Sequence, residues 1–258
     1  ILRLEPTETP SRELFQSFVL PEDQERLRQG YAKLMVEQEL WDERVRLRLR
    51  DGEIIWVHLR LQTEFDEKGK PQNYVGAFQD ITRIKHSEFE LDRIAHYDPL
   101  TGVPNRRLLD DRLAQAIARA KRSGKGLAIC YMDLDGFKLV NDYYGHAAGD
   151  RLLVEIATRL RQTLRGEDTV ARLGGDEFVM LFGDLSDSSE IGKALDRVLA
   201  EVNRPVLVEG GIANVSASIG YTLYPEDASD ADLLLRHADQ AMYLAKDAGK
   251  NQYRCFAL

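Results

Sequence analysis

Val170-Ala171-Arg172-Leu173-Gly174-Gly175-Asp176-Glu177-Phe178-Val179-Met180-Leu181 sets two short apolar runs on either side of two glycines and two acids. Val170 to Leu173 and Phe178 to Leu181 read as strands. Two glycines between them suit a tight hairpin that needs positive φ. Such a turn presents Asp176 at its rim. A second acidic cluster, Met132-Asp133-Leu134-Asp135, closes the continuous apolar run Leu127 to Met132, which reads as a central strand. Alternation sends Asp133 and Asp135 to one face if the strand continues that far. A carboxylate at the end of an apolar strand is costly without compensating positive charge. If the hairpin lies beside the Leu127–Met132 strand, Asp133 and Asp176 converge, and converging hard oxygen ligands suit Mg²⁺. On the residues alone, a pair of solvated loop acids is an equal alternative.

Outward from this centre, helices and strands alternate. Arg106 to Arg122 carries Leu109, Leu113, Ile117 and Ala120 on one helical face. Leu153, Ile156, Ala157, Leu160 and Leu164 line a second helix, and Ile191, Ala194, Leu195, Val198 and Val202 a third. Strands are predicted near Val206, from Asn214 to Tyr224 and near Tyr253, with a last helix from about Ser229 to Ala248. The fold class is α+β, helices packed on a mainly antiparallel sheet.

The N-terminal third reads differently. Pro21-Glu22-Asp23 begins a helix running to about Val36. Arg44 to Arg50 alternates polar and apolar residues, Asp51-Gly52 signals a hairpin, and Ile54 to Leu59 returns as a strand. A polar turn, Asp66 to Pro71, precedes a third strand at Tyr74 to Phe78. The Pro-Glu-Asp helix start, the Arg-x-Arg…Asp-Gly-x-x-x-Trp hairpin and the closing Val75-Gly76…Asp80-Ile81-Thr82 resemble the C-terminal two-thirds of a PAS/PAC sensor domain, with two N-terminal strands expected before Ile1. His58, alone among apolar strand neighbours, reads as a structural residue rather than a haem ligand. From Ile81 to about Tyr97 the pattern is helical, and Ile84, Leu91 and Ile94 form a short coiled-coil seam. The expected division is a partial sensor at 1–82, a signalling helix at 83–97 and an output domain at 98–258.

Composition bounds the function. The 258 residues carry 35 Lys and Arg against 43 Asp and Glu, a net charge of −8. A chain this acidic lacks the clustered positive field that nucleic-acid binding requires, so no nucleic-acid partner is expected. Two cysteines, Cys130 and Cys255, make no zinc spacing and no disulfide framework. No apolar stretch approaches the roughly 18 residues of a membrane span. A cytoplasmic fragment without membrane contact is expected, its start at Ile1 leaving room for an anchor upstream.

The Gly174-Gly175-Asp176-Glu177-Phe178 signature, together with further motifs, resembles the GGDEF diguanylate cyclase family. Those motifs are Asp98-Pro99-Leu100-Thr101…Asn105-Arg106, Asp133-Leu134-Asp135-Gly136-Phe137-Lys138…Asn141-Asp142, Gly145-His146-Ala147-Ala148-Gly149-Asp150, Ser218-Ile219-Gly220 with Tyr224-Pro225, and Ala245-Lys246…Gly249-Lys250-Asn251. The resemblance covers about residues 96 to 258. It implies a fold like a nucleotide cyclase or polymerase palm and condensation of two GTP into cyclic di-GMP with release of two pyrophosphates. It implies Mg²⁺ (or Mn²⁺) on the carboxylates of Asp133 and Asp176 and the carbonyl of Leu134, with Glu177 assisting. Asp176 is the implied base for the 3′-hydroxyl, a role at odds with the low pKa of a metal-bound carboxylate. Lys138 would stabilise charge on the phosphates, and Lys246 and Lys250 would hold the β- and γ-phosphates. Asn141 and Asp150 would read guanine, with His146 near the ribose or base. Arg165 and Asp168 fit the family's Arg-x-x-Asp inhibitory site, with residues 169 to 173 as the expected five-residue spacer before Gly174, and cyclic di-GMP product would bind there. Because one half-site holds one GTP, a homodimer is expected. Two rivals remain open: a silent cyclic di-GMP sensor, and a GTP-binding regulator of a neighbouring phosphodiesterase.

Overall fold

The computed structural model describes residues 1–5, 7–9, 11–34, 40–187, 189–228 and 230–256. The chain divides into two compact units, Ile1–Leu91 and Asp92–Leu258. The division falls inside the helix Thr82–His96.

In the first unit, α1 (Arg12–Phe18) is a helix that the sequence did not announce. It is only 7 residues long, and the Ser11 side chain caps it by accepting from the Leu14 amide. α2 (Pro21–Leu34) starts on its proline. Its expected extension to Val36 lies outside the described residues. β1 (Trp41–Arg48), β2 (Ile54–Phe65) and β3 (Pro71–Asp80) form an antiparallel sheet in that order. β1 starts earlier than its alternating core, and β2 runs six residues past Leu59 because Leu61 and Thr63 continue the buried face. Val45, Leu47, Val57 and Leu59 on that face pack with Phe15, Phe18 and Leu27 of the helices. His58 points to the opposite face, where Nε2 lies 2.6 Å from Asp42 across the β1–β2 pair. Asp23, buried in the first turn of α2, accepts from the Arg46 amide and guanidinium at 2.9 and 2.8 Å and so ties that helix to β1. α3 (Thr82–His96) follows, its Thr82 hydroxyl accepting from the Trp56 amide.

The second unit is a five-stranded sheet between two helical layers. α4 (Arg106–Ser123) is capped by Asn105 and ended by Gly124. β4 (Gly126–Asp135), α5 (Phe137–Tyr144), α6 (His146–Thr163), β5 (Thr169–Gly174), β6 (Glu177–Leu185), α7 (Ser189–Val202), β7 (Val206–Val208), β8 (Gly211–Ala213), β9 (Ser216–Tyr224), α8 (Ala231–Asp247) and β10 (Gln252–Cys255) complete it. The expected helix start at Ser229 lies outside the described residues. Sheet order is β10-β9-β4-β6-β5, antiparallel except for the parallel β10–β9 pair. β4 is central, and both its faces are covered. Ala128, Cys130, Met132 and Leu134 pack with α6 and α7, while Leu127 and Ile129 pack with α4 and α8. That double burial is why the run is apolar without alternation. β7 and β8 form a separate small hairpin.

Candidate active site

β4 continues past its apolar run to Asp135, so Asp133 and Asp135 take the Ile129–Tyr131 face. β6 pairs with β4 as far as Asp133 opposite Glu177. Gly174 and Gly175 both hold positive φ, 151° and 51°, and turn the chain so that Asp176 stands at the end of β4. The Leu134 amide donates to the Asp176 carbonyl at 3.3 Å. In a strand the amide and carbonyl of one residue point the same way, so the Leu134 carbonyl also faces this turn. Acids 43 positions apart in the sequence thus meet at one strand end.

The electrostatics follow from that meeting. Burial pushes the Asp133 carboxyl up, and the nearby Asp176 charge adds to the rise. Lys246 of α8 opposes both, its ammonium 2.7 Å from Asp133 Oδ2. Positive charge is therefore favoured at this point. Two carboxylates and a backbone carbonyl are a hard donor set that fits a divalent cation such as Mg²⁺. Glu177 is turned aside: its Oε2 accepts from the Tyr131 hydroxyl at 3.0 Å, and burial with that bond holds Tyr131 protonated far above its usual range. Among the described residues no three acids, histidines or cysteines are already gathered as a cation cage. The donors at hand are Asp133, Asp176 and Leu134.

The other sequence-selected residues fall in three groups. Lys138 sits exposed on α5, one residue after its first. Asn141 on α5 packs against Gly149 of α6, and Asp150, the next residue of α6, is exposed. A Cβ on Gly149 would lie 1.9 Å from Asn141 Oδ1, so glycine is what lets the amide lie against α6. His146, the first residue of α6, is exposed. Lys250 lies just past α8 in a left-handed turn.

Arg165 and Asp168 lie in the α6–β5 loop, at the far end of the six-residue β5 from the glycine turn. At about 3.3 Å per residue that is roughly 20 Å away. The Arg165 amide donates to Asp168 at 3.0 Å, and Asp168 is pushed up by burial against that bond. Both line a groove of about 280 Å³ shared with Lys193 and Arg197 of α7.

Sequence reasoning missed the brace behind the turn. Arg172 Nε and Nη2 donate to the Gly175 carbonyl at 3.0 and 2.8 Å, and Nη1 donates to Asp98 at 2.9 Å. Burial works against ionisation of Asp98, yet bonds from Thr101 and Arg172 hold its carboxyl below the ordinary range. The Arg172 amide also reaches the Pro104 carbonyl at 2.9 Å. Asp98 and Arg172 each stood inside a quoted motif, but nothing in either spacing says that they touch.

Comparison with known proteins gives two family matches: the diguanylate cyclase GGDEF domain over residues 95–252 and a PAS fold over residues 3–78. The bifunctional diguanylate cyclase/cyclic di-GMP phosphodiesterase MucR of Pseudomonas aeruginosa is 46% identical over 175 residues, covering 68% of this chain and 25% of MucR. The GGDEF domain of TpbB from the same organism superposes with a TM-score of 0.61 at 41% identity, covering 63% of this chain and 95% of that one. The coiled coil and GGDEF domain of DgcB from Caulobacter crescentus, solved in complex with c-di-GMP, superposes at 0.61 with 27% identity, covering 68% and 93%. The chain spans a quarter of MucR and 40% of full-length TpbB.

Proposed function

This chain belongs to the GGDEF diguanylate cyclase family, with a PAS fold preceding that domain, and from this premise we propose that it condenses two GTP molecules into cyclic di-GMP and two pyrophosphates. The observation that carries the reading is the meeting of Asp133 and Asp176 at the end of β4 with a cation-seeking charge balance. Each 3′-oxygen attacks the α-phosphorus of the other nucleotide; the P–O bond to the β-phosphate breaks, and the 3′-proton passes to a carboxylate or to water. In such phosphoryl chemistry the protein mostly positions groups and neutralises charge.

Asp133, Asp176 and the Leu134 carbonyl would hold the metal, and Glu177, beside Asp176 and bonded to Tyr131, would assist. Mg²⁺ or Mn²⁺ supplies neutralisation of the phosphates when bound. Asp176, at the turn rim, is the carboxylate proposed for the 3′-proton, with water as the acceptor where the metal keeps that carboxylate's pKa low. Lys138 faces the phosphates from α5, while Lys246 and Lys250 hold the β- and γ-phosphates as point charges. Asn141 and Asp150 read guanine, whose N1–H and N2–H₂ donors suit a carboxylate acceptor; adenine leaves that acceptor unpaired. His146 borders the ribose.

The groove with Arg165, Asp168, Lys193 and Arg197 supports product binding there: three cations suit two phosphates, and a carboxylate accepts from guanine. Catalysis requires two half-sites to face each other, hence a homodimer. The exposed Ile84, Leu91 and Ile94 of α3 support pairing through that helix and control of it by the PAS fold. Incubation with GTP and Mg²⁺ followed by nucleotide chromatography tests the reading. Cyclic di-GMP is expected, and EDTA should abolish it. GTP that binds without conversion would replace the cyclase with a GTP-binding regulator, and cyclic di-GMP affinity without GTP affinity would replace it with a sensor.

A further inference from the structure

Asp135 lies two residues beyond Asp133 on the same face of β4, yet its chemistry is separate. It is 8% exposed. Its Oδ1 accepts from the Ser218 hydroxyl at 2.8 Å, and its Oδ2 accepts from the Ser216 hydroxyl at 2.8 Å and the Asn251 amide at 3.2 Å. Both oxygens are thus taken by donors from β9 and from the turn after α8. That turn is unusual. Gly249, Lys250 and Asn251 all hold positive φ, at 117°, 62° and 49°, and two of them bear side chains. Such residues stay left-handed only where surrounding bonds over-determine them. Here the Gly249 amide donates to the Lys246 carbonyl at 3.3 Å and the Lys250 amide to the Ala245 carbonyl at 3.1 Å. The Asn203 side chain donates to Asn251 Oδ1 at 3.0 Å. Of these ties, the Asn251–Asp135 bond is the one anchored on β4, the strand that carries Asp133.

We infer that Asp135 is a positioning residue that fixes the left-handed Gly249–Asn251 turn to the catalytic strand, so that Lys250 meets the terminal phosphates of a nucleoside triphosphate. This rests on the GTP-binding reading above. It separates the two acids of the Asp133-Leu134-Asp135 run: the first holds the cation, and the second sets the height of Lys250. Losing Asp135 should weaken GTP more than GDP, because the γ-phosphate depends most on the turn. It should leave the cation requirement alone, because both Asp135 oxygens already accept from β9 and from the turn rather than facing Asp176.

Equilibrium binding of GTP and GDP at fixed Mg²⁺ tests this in the whole chain and in Asp135→Ala, Asp135→Asn, Lys250→Ala and the Asp135→Ala/Lys250→Ala pair. The wild type should prefer GTP. Asp135→Ala should lower GTP affinity about tenfold, the change that follows loss of one charge-assisted tie. The GTP/GDP ratio should fall to that of Lys250→Ala, and the double variant should be no worse than either single one, as acting through one element demands. Amide exchange over 249–252 should speed up, while the Mg²⁺ midpoint stays put. Ser218→Ala, which frees only Oδ1, should lie between and serves if Asp135→Ala folds poorly. An unchanged GTP/GDP ratio and unchanged exchange in the Asp135 variants would overturn the inference alone, as would a shifted Mg²⁺ midpoint with the ratio kept. A wild type with no preference for GTP would overturn the underlying reading and the inference with it.

Discussion

Removing Arg172 should cost both stability and turnover, and the structure sets the size of each. Its guanidinium makes two bonds to the Gly175 carbonyl and one to Asp98, and the Arg172 and Asp98 side chains are only 10% and 15% exposed. Deleting one partner of a buried ion pair costs about 3–5 kcal/mol, because the other charge is left uncompensated. Two bonds from Thr101 to the same Asp98 oxygen keep that carboxylate partly satisfied, so Arg172→Ala should fall near the lower end, about 3 kcal/mol. The activity loss has a different origin. The Gly175 carbonyl belongs to the turn that carries Asp176, and a misplacement of about 1 Å at a reacting centre costs on the order of 100-fold. Arg172→Lys should recover little, since an ammonium cannot span Gly175 and Asp98 in one plane. Asp98→Asn added to Arg172→Ala should soften the stability loss, because no buried charge remains. Urea unfolding followed by tryptophan-independent circular dichroism, beside cyclic di-GMP formation at saturating GTP, reads both effects. Arg172→Ala with wild-type stability and turnover within twofold would refute the brace.

Three further outcomes can be checked. Hydrogen bonds from Arg46 pull Asp23 down to about 2 despite its burial. A depressed carboxyl stabilises the fold above its unfolded pKa of about 3.9 and stops doing so as pH falls through the folded value, so the first unit should lose roughly 2 kcal/mol between about pH 4 and 2, a loss absent in Asp23→Asn, measured by unfolding across that range. Gly149→Ala would drive a Cβ to 1.9 Å from Asn141 Oδ1, and the displaced amide should lower GTP affinity about tenfold without improving ATP binding, read by competition with the two nucleotides. Ile84→Glu with Leu91→Glu should reduce self-association in sedimentation and lower turnover, because both side chains are more than half exposed on α3 and charge along a seam opposes pairing.

What the sequence disclosed and what it withheld divide along a physical line. β4, β6 and the glycine turn were legible because burial on both faces enforces an apolar run, and acids where that run stops are conspicuous. Pairing Asp133 with Asp176 required only the assumption that β6 lies beside β4. The short α1 carried too few turns to register as a period, and the three-residue β8 is below the length at which alternation means anything, whereas the strand expected near Val206 is β7. The contacts that hold the site were a different matter. Arg172 finds Asp98 across 74 positions, and Asn251 finds Asp135 across 116. A periodicity reports which face of an element is buried, whereas a hydrogen bond between elements depends on the topology that brings their ends together. Those ends gather on one side of the sheet here: the close of β4, the turn into β6, the start of β9 and the exit of α8 all meet around Asp133 and Asp135. Motifs scattered along the second unit therefore read as separate fragments in the sequence and as one surface in the fold. The acids that looked equivalent in Asp133-Leu134-Asp135 part company only when their neighbours are known, one facing Lys246 and Asp176, the other enclosed by two serines and a backbone amide.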